Sequence, residues 1–161
     1  MNEAFNPCEI LKITIDIEEN GRKVYESFEG RAKDPKVREI WAYLKDQELK
    51  HKKVFQDMLD KKNNCEVEEF VPGEYGRYLQ AIASECVFTP KIIEETIEKG
   101  FSSDTEAIDF GIQMEKDSIL AYSAFREILA GQEAALDEVI AQERKHLIKF
   151  TELKKYLEKG G

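Results

Sequence analysis

Two short segments of this 161-residue chain carry residue types that bind metals. Residues 47–51, Gln-Glu-Leu-Lys-His, return almost unchanged at 142–146 as Gln-Glu-Arg-Lys-His, and these segments hold both histidines of the chain. A glutamate and a histidine three residues apart on a helix project from one face, so both side chains can reach one metal ion. Glu48 with His51 and Glu143 with His146 are therefore two candidate ligand pairs.

Both pairs lie within apolar stripes of helical periodicity, which normally face the interior of a helical protein. The stripes are Val37, Trp41, Leu44, Glu48, His51, Phe55, Met58 and Leu136, Val139, Glu143, His146, Phe150, Leu153, Leu157. The carboxylates and imidazoles are thus expected inside the protein.

Two further stripes match each other position by position. They are Leu11, Thr14, Glu18, Gly21, Tyr25, Phe28, Ala32 and Ile108, Gly111, Glu115, Ser118, Tyr122, Phe125, Leu129. Each carries one glutamate on its core face and a tyrosine seven residues later, about 10 Å along a helix. Glu19 leaves its stripe, so it is expected at the surface.

The order of these residues indicates a tandem duplication of a two-helix hairpin. Each half supplies a single glutamate and then a Glu-x-x-His pair. Four helices that present this ligand pattern to a common core are typical of ferritin-like di-metal proteins. The sequence predicts an all-α, ferritin-like four-helix bundle.

The cost of burying charge indicates what joins these side chains. Four buried carboxylates without partners would be strongly destabilising, whereas two divalent cations balance four negative charges. Mixed carboxylate and imidazole ligands favour iron or manganese, and zinc can substitute. We expect Glu48 and Glu143 to bridge two metal ions and Glu18 and Glu115 to be terminal ligands. One histidine would bind each ion, namely His51 and His146.

Other residues of the stripes have two interpretations. Tyr25 and Tyr122 either pack in the core with a satisfied hydroxyl or act as hydrogen-bond and electron-transfer groups near the metals. The small residues Gly21, Gly111 and Ser118 are expected to make room for the metals and for a bound water or peroxide.

Capping residues predict the elements that position the site. Helix 1 is expected from about residue 7 to 31 and helix 2 from 35 to 62. Short helices are predicted at 74–84 and 90–99. Helix 3 should run from 104 to its terminal glycine, Gly131, and helix 4 from 132 to 158. Residues 1–161 would form a single domain, with hairpins at 7–62 and 104–158 and a crossover at 63–103.

Composition argues against several classes of partner. The net charge of −9 disfavours nucleic acid and anionic membranes, and no run of eighteen apolar residues could span a bilayer. The N-terminus lacks the pattern of a secretory signal, so a cytoplasmic location is expected. Cys8, Cys65 and Cys86 form no Cys-x-x-Cys pair and are expected to be reduced thiols.

The chain resembles the rubrerythrin branch of the ferritin-like superfamily at these motifs and at residues 18–25, Glu-Glu-Asn-Gly-Arg-Lys-Val-Tyr. The resemblance implies a di-iron site that reduces hydrogen peroxide or dioxygen in oxidative-stress defence. Without the two Cys-x-x-Cys pairs of a rubredoxin domain, an external electron donor such as a rubredoxin is expected. Rubrerythrins also have an additional glutamate where this chain has Ser118, which makes the ligand set similar to that of bacterioferritin.

Several functions are compatible with these observations. The leading hypothesis is a di-iron peroxidase, and the alternative is a ferroxidase or iron-handling protein. A hydroxylase would require an apolar pocket beside the metals, and a structural bundle could hold incidental zinc. Bundles of this type often pair through an outer face, so a homodimer is also an expectation.

Overall fold

The computed structural model describes residues 4–62, 65, 69–70, 73–86 and 88–160. The described part of the chain is almost entirely helical, which confirms the all-α prediction. Its helices are α1 (Pro7–Arg31), α2 (Pro35–Asp60), α3 (Glu74–Glu85), α4 (Pro90–Lys99), α5 (Asp104–Phe125) and α6 (Glu133–Glu158). Two strands of two residues each, β1 (Ala4–Phe5) and β2 (Glu69–Phe70), pair antiparallel.

Helices α1 and α2 begin where their capping residues predict. The side chain of Asn6 accepts a hydrogen bond from the amide of Cys8, and that of Asp34 accepts from the amides of Lys36 and Val37. Both helices then start with proline, whose fixed φ suits the first turn. These caps fix where α1 and α2 begin.

The start of α5 departs in detail from a regular capping box. Ser103 accepts from the amide of Glu106, as in a capping box, but the Glu106 carboxylate accepts from the amide and hydroxyl of Ser102. Asp104 in turn accepts from the amides of Lys33 and Asp34. The start of α5 is thus joined to the turn between α1 and α2.

The predicted end of the third long helix was wrong. Helix α5 ends at Phe125, and residues 126–131 form turns before α6 begins at Glu133. Gly131 has a φ of +85°, so it does adopt the left-handed conformation expected of a terminal glycine. The glycine ends the connection, and the helix itself stops about a turn and a half earlier.

Two helical hairpins, α1 with α2 and α5 with α6, form the body of the fold. The crossover between them contains α3, which lies against α5, and α4, which lies against α1. An aromatic cluster closes one side of the interior, where Trp41 packs 5.3 Å from Tyr25 and 5.1 Å from Phe150, measured between ring centroids. None of the helices in the described ranges combines the length and the apolar character needed to cross a membrane.

The expectation that all three cysteines are reduced was wrong for two of them. Cys8 and Cys65 form a disulfide across a separation of 57 residues, whereas Cys86 is a buried free thiol. The β1–β2 pairing brings the segment that follows α2 back to the start of α1, and the Asn6 amide donates to the Cys65 carbonyl. No local spacing motif marks a pairing that depends on this return of the chain.

Candidate metal centre

The structure brings all six predicted ligands together in the interior. Helices α1 and α5 each contribute one glutamate, Glu18 and Glu115, while α2 and α6 each contribute a Glu-x-x-His pair. Every one of these side chains belongs to a residue that is at most 5% exposed. The apolar stripes therefore do face the core, and the glutamates and histidines within these stripes are buried as well.

The six side chains form two overlapping groups of potential ligands. One group contains Glu18, Glu48, His51 and Glu143, and the other contains Glu48, Glu115, Glu143 and His146. Within each group the ligand atoms lie within 4.8 Å of one another. Glu48 and Glu143 belong to both groups, which is the arrangement that two adjacent cations sharing two carboxylates would require.

Unsatisfied polar atoms provide an independent test of whether a metal fits. Buried side-chain oxygen and nitrogen atoms normally have a hydrogen-bond partner. In the described residues, each of the six candidate ligands has one buried atom without such a partner. These atoms are Glu18 Oε2, Glu48 Oε1, His51 Nδ1, Glu115 Oε2, Glu143 Oε1 and His146 Nδ1. His51 Nδ1 and Glu143 Oε1 are only 2.7 Å apart, yet they are not aligned as a hydrogen bond. Cations between these atoms would satisfy all of them.

Three of the four buried glutamates bind protons more tightly than exposed glutamates do, and a cation that binds to them has to displace these protons. Burial raises the pKa of Glu48 and Glu115 well above the ordinary value, and the neighbouring carboxylate charges add to the effect. Burial also raises the pKa of Glu18, although His51 opposes the shift. Burial acts in the same sense on Glu143, but contacts with Glu115 and the two histidines outweigh it and lower its pKa.

His51 is drawn towards its charged form by the same carboxylates. Burial alone would lower its pKa, but contacts with Glu143 and Glu18 raise the pKa to about 11. The imidazole therefore stays in its charged form, with a proton on both ring nitrogens, in the metal-free protein. A metal ion at Nδ1 has to displace the proton on that nitrogen, so binding is linked to pH.

The two tyrosines connect the halves of the bundle crosswise. Tyr25 on α1 donates a hydrogen bond of 2.7 Å to Glu115 on α5, and Tyr122 on α5 donates one of 2.5 Å to Glu18 on α1. Burial and the adjacent carboxylate raise the pKa of both phenols well above 10, so each hydroxyl stays a donor. Each tyrosine thus fixes the glutamate of the opposite half, a pairing that sequence reasoning did not identify.

The small residues predicted to make room for the site have different roles. A Cβ atom on Gly21 would lie 2.6 Å from Glu48 Oε2, so this glycine makes space for a candidate ligand. A Cβ on Gly111 would instead lie 2.7 Å from the Phe150 ring and 3.0 Å from Trp41. Gly111 therefore accommodates the aromatic cluster, and Ser118 is buried on the same helix.

The two histidines have different neighbours outside the ligand cluster. His51 Nε2 lies 2.8 Å from Gln142 Oε1, next to a cavity of about 170 Å³ between α2 and α6. His146 instead meets the ring of Tyr43 edge-on, with 6.2 Å between ring centroids. Sequence reasoning missed Gln142, although its place in the repeated Gln-Glu-x-Lys-His segment was a visible signal.

Comparisons with known proteins agree with this geometry. A family model described as Rubrerythrin matches residues 9–154. The fold is similar to the crystal structure of a Thermotoga maritima protein described as a ferritin-like diiron-carboxylate protein. That similarity has a TM-score of 0.76 at 25% sequence identity and covers 96% of this chain and 98% of the other. A search of curated proteins found no match.

The family match spans all four helices that supply the buried glutamates and histidines. The same six side chains converge in the structure into two overlapping groups able to hold metal ions. The chain belongs to the rubrerythrin family.

Proposed function

We propose that the cluster holds two iron ions. The observation that carries this proposal is the convergence from four helices of six buried ligand atoms that have no hydrogen-bond partner among the described residues. Glu48 and Glu143, common to both groups, are the proposed bridges. The remaining ligands divide between the two ions as Glu18 with His51 and Glu115 with His146. Manganese or zinc would bind the same donors when supplied in excess.

We further propose that the protein reduces hydrogen peroxide or dioxygen with electrons from an external donor. When bound, a pair of ferrous ions would supply two electrons, which together with two protons reduce one hydrogen peroxide to two waters. The family and the ligand set support a redox role in oxidative-stress defence.

The chain itself contributes a preorganised and buried site. The candidate ligands are almost fully buried, so their charges act in a medium of low polarity. Tyr25 and Tyr122 hold Glu115 and Glu18 in place through hydrogen bonds from opposite halves. Because these phenols keep their protons, they remain donors that can stabilise the two carboxylates in the charged form that binds metal.

The dimensions of the cavity beside His51 favour a small oxidant. Its volume of about 170 Å³ is below the roughly 300–1,000 Å³ typical of pockets for organic ligands. Val54, Ala135 and Val139 line it together with polar residues. This geometry supports peroxide or dioxygen over the bulkier organic substrate that a hydroxylase would need.

Stopped-flow oxidation of the iron-loaded protein tests the proposal. Protein reduced anaerobically and mixed with hydrogen peroxide is expected to develop ferric absorbance with one peroxide consumed per two irons. The variant Glu143→Gln, tested under the same conditions, should react no faster than free iron in buffer. A loaded site that is inert to both peroxide and dioxygen would overturn the redox proposal.

The alternative is a ferroxidase or iron-handling role, in which oxidised iron leaves the centre. The observation that favours it is the buried, uncharged Ser118, at the position where an additional glutamate would complete the rubrerythrin ligand set. Successive aerobic additions of Fe(II) separate the two functions. Uptake and oxidation well beyond two irons per chain would support iron handling, whereas saturation at two would support the peroxidase.

The partners we propose are a small oxidant and a separate electron donor such as a rubredoxin. A cytoplasmic location remains our proposal. The Cys8–Cys65 disulfide argues against it, because cytoplasmic thiols are usually kept reduced. The homodimer stays a prediction, and sedimentation of the metal-loaded protein would test it.

A further inference from the structure

The internal duplication allows the surroundings of the two histidines to be compared residue by residue. Superposing segment 47–51 on segment 142–146 relates the halves by an offset of 95 residues. Gln142 then corresponds to Gln47, while Glu138 corresponds to Tyr43. On the following turn, Val54 of the first half corresponds to Lys149 of the second.

On the His51 side, the polar residues form a chain of hydrogen bonds. The amide nitrogen of Gln142 donates to Glu138 Oε1 at 3.5 Å, and its oxygen lies 2.8 Å from His51 Nε2. A carboxylate only accepts, so the Gln142 amide group is oriented with its oxygen towards the imidazole. His51 therefore donates from Nε2, and its Nδ1 points to the carboxylates of Glu143 and Glu18 at 2.7 and 3.5 Å.

On the His146 side, the corresponding residues do not form such a chain. The Tyr43 ring meets His146 edge-on, and Lys149 Nζ lies 5.1 Å from the centre of the same ring. Within the described part of the chain, no hydrogen bond joins Gln47 to His146. The tyrosine and the lysine occupy positions that face an open cavity in the other half.

We propose that Gln142 is a positioning residue that orients His51 for metal binding, and that this makes the two metal positions unequal. The proposal rests on the metal ligation proposed above. An acceptor on the outer nitrogen of a ligating histidine fixes its tautomer and ring orientation and raises its basicity as a ligand. The metal position that includes His51 has such an acceptor, the Gln142 oxygen. It therefore binds the first metal ion more tightly than the metal position that includes His146.

A titration with Co(II) under anaerobic conditions tests the proposal by affinity rather than by activity. Calorimetry and visible absorption of the wild-type protein are expected to show two sites of unequal affinity. Removing such an outer hydrogen bond typically weakens metal affinity by about 10–100-fold. Gln142→Leu should therefore weaken the tighter site by that factor and bring the two affinities together.

Matched variants separate positioning from general structure. Gln47→Leu alters the corresponding residue of the other half and should leave both affinities unchanged. Gln142→Glu keeps an acceptor oxygen at the same reach and should retain the tight site. Proton NMR of the Co(II)-loaded protein should show one slowly exchanging imidazole N–H, which disappears in Gln142→Leu. Circular dichroism and melting of the metal-free variants show whether folding has changed.

The outcomes distinguish this inference from the proposed function. Two equal sites in the wild type, no change in Gln142→Leu, or an equal loss in Gln47→Leu would each overturn the role of Gln142 while leaving the metal centre intact. Wild-type protein that binds no Co(II) would overturn the ligation proposal and this inference together. Peroxide activity does not enter the test.

Discussion

At the scale of single residues, the two carboxylates shared by both groups differ from the two that belong to one group each. A metal ion held by either group could contact Glu48 and Glu143, whereas Glu18 and Glu115 are each available to one group only. This difference in position should appear as a difference in metal stoichiometry when single ligands are removed.

The first prediction concerns that stoichiometry. Glu48→Gln should lower iron binding at both positions, because an uncharged amide replaces a carboxylate that both ions share. Glu18→Gln should weaken one position and retain about one iron per chain. Iron content after gel filtration, together with Mössbauer spectra, measures the outcome.

Glu19→Gln is the matched control for this prediction. Glu19 is adjacent to Glu18 in sequence but forms ion pairs with Arg22 and Lys52 near the surface, as its position off the stripe predicted. The variant should keep two irons. An equal loss in the Glu18 and Glu19 variants would contradict the assignment.

The second prediction concerns the crosswise tyrosines. Tyr25→Phe and Tyr122→Phe each leave a buried glutamate oxygen without its donor, which typically costs about 1–3 kcal/mol. Urea denaturation of the metal-free protein should show a similar loss for both variants. Tyr43→Phe, which alters an exposed tyrosine, should leave stability unchanged. A loss in only one of the two buried variants would show that the halves are not equivalent in this respect.

The sequence was sufficient to predict which residues enter the core but not every contact that they make there. Periodicity places Glu18 and Glu115 on buried faces, because the spacing of residues along a helix determines the side of the helix on which each one lies. The tyrosine contacts join residues 90 and 104 positions apart, and the Gln142 contact with His51 joins residues 91 apart. Such contacts depend on the angles and offsets between helices, which the spacing within one helix does not determine.

At the scale of elements, the starts of α1, α2 and α5 were predictable because each is marked by a local hydrogen bond of its cap. The end of α5 was not, because residues 126–131 form turns in a segment that has no proline or glycine before Gly131. The contact of Arg126 with Asp137 joins this connection to α6. An interaction with the next helix is absent from the local pattern, so the helix was predicted too long.

The third prediction uses three glycines to separate metal binding from packing. Gly21→Ala should weaken metal binding, because its methyl group would displace the Glu48 carboxylate 2.6 Å away. Gly111→Ala should instead lower stability by about 1–3 kcal/mol, since it overfills the space beside Phe150 and Trp41. Iron titration and urea denaturation of each variant measure the two effects.

Gly30→Ala is the control on the same helix as Gly21. Among the described residues, a Cβ added at Gly30 would meet no atom within 4 Å beyond its own stretch of helix, so alanine should stabilise the helix by about 0.5–1 kcal/mol. Its iron binding should equal that of the wild type. If Gly21→Ala binds iron as the wild type does, the proposed role of this glycine in accommodating Glu48 is wrong.

At the scale of the whole molecule, the buried cluster links stability to pH and to metal. Glu18, Glu48 and Glu115 have raised pKa values in the folded protein, so each binds protons more tightly when folded. Their contribution to stability is complete below the ordinary pKa of about 4.5 and is lost as the pH rises through the folded values. The pKa of His51 is raised to about 11, so this residue also makes the folded protein less stable as the pH rises above 6.5.

The fourth prediction follows from these signs. The melting temperature of the metal-free protein should fall as the pH rises from 5 to 8. Glu19, with a pKa lowered to about 2, keeps its contribution throughout this range and does not offset the trend. The increase in melting temperature on adding iron should grow over the same interval, because fewer protons compete with the metal. Calorimetric melting at several pH values, with and without metal, measures both trends. A metal-free protein that becomes more stable towards pH 8 would contradict the assigned pKa directions.

The order of the four long helices was predictable, because the duplicated motif repeats in sequence and each hairpin is closed by a short connection. The Cys8–Cys65 disulfide was not, since it depends on how the chain returns to its own start after α2.

The crosswise hydrogen bonds and the shared carboxylates have a consequence for the origin of the fold. One hairpin alone contains one glutamate, one Glu-x-x-His pair and a tyrosine whose partner lies on the other hairpin. A half-length ancestor would thus have been inert as a monomer and competent only as a symmetric pair of identical subunits. Gene fusion would have made that pairing permanent and freed the copies to diverge, as the corresponding residues Tyr43 and Glu138 have done on either side of the centre.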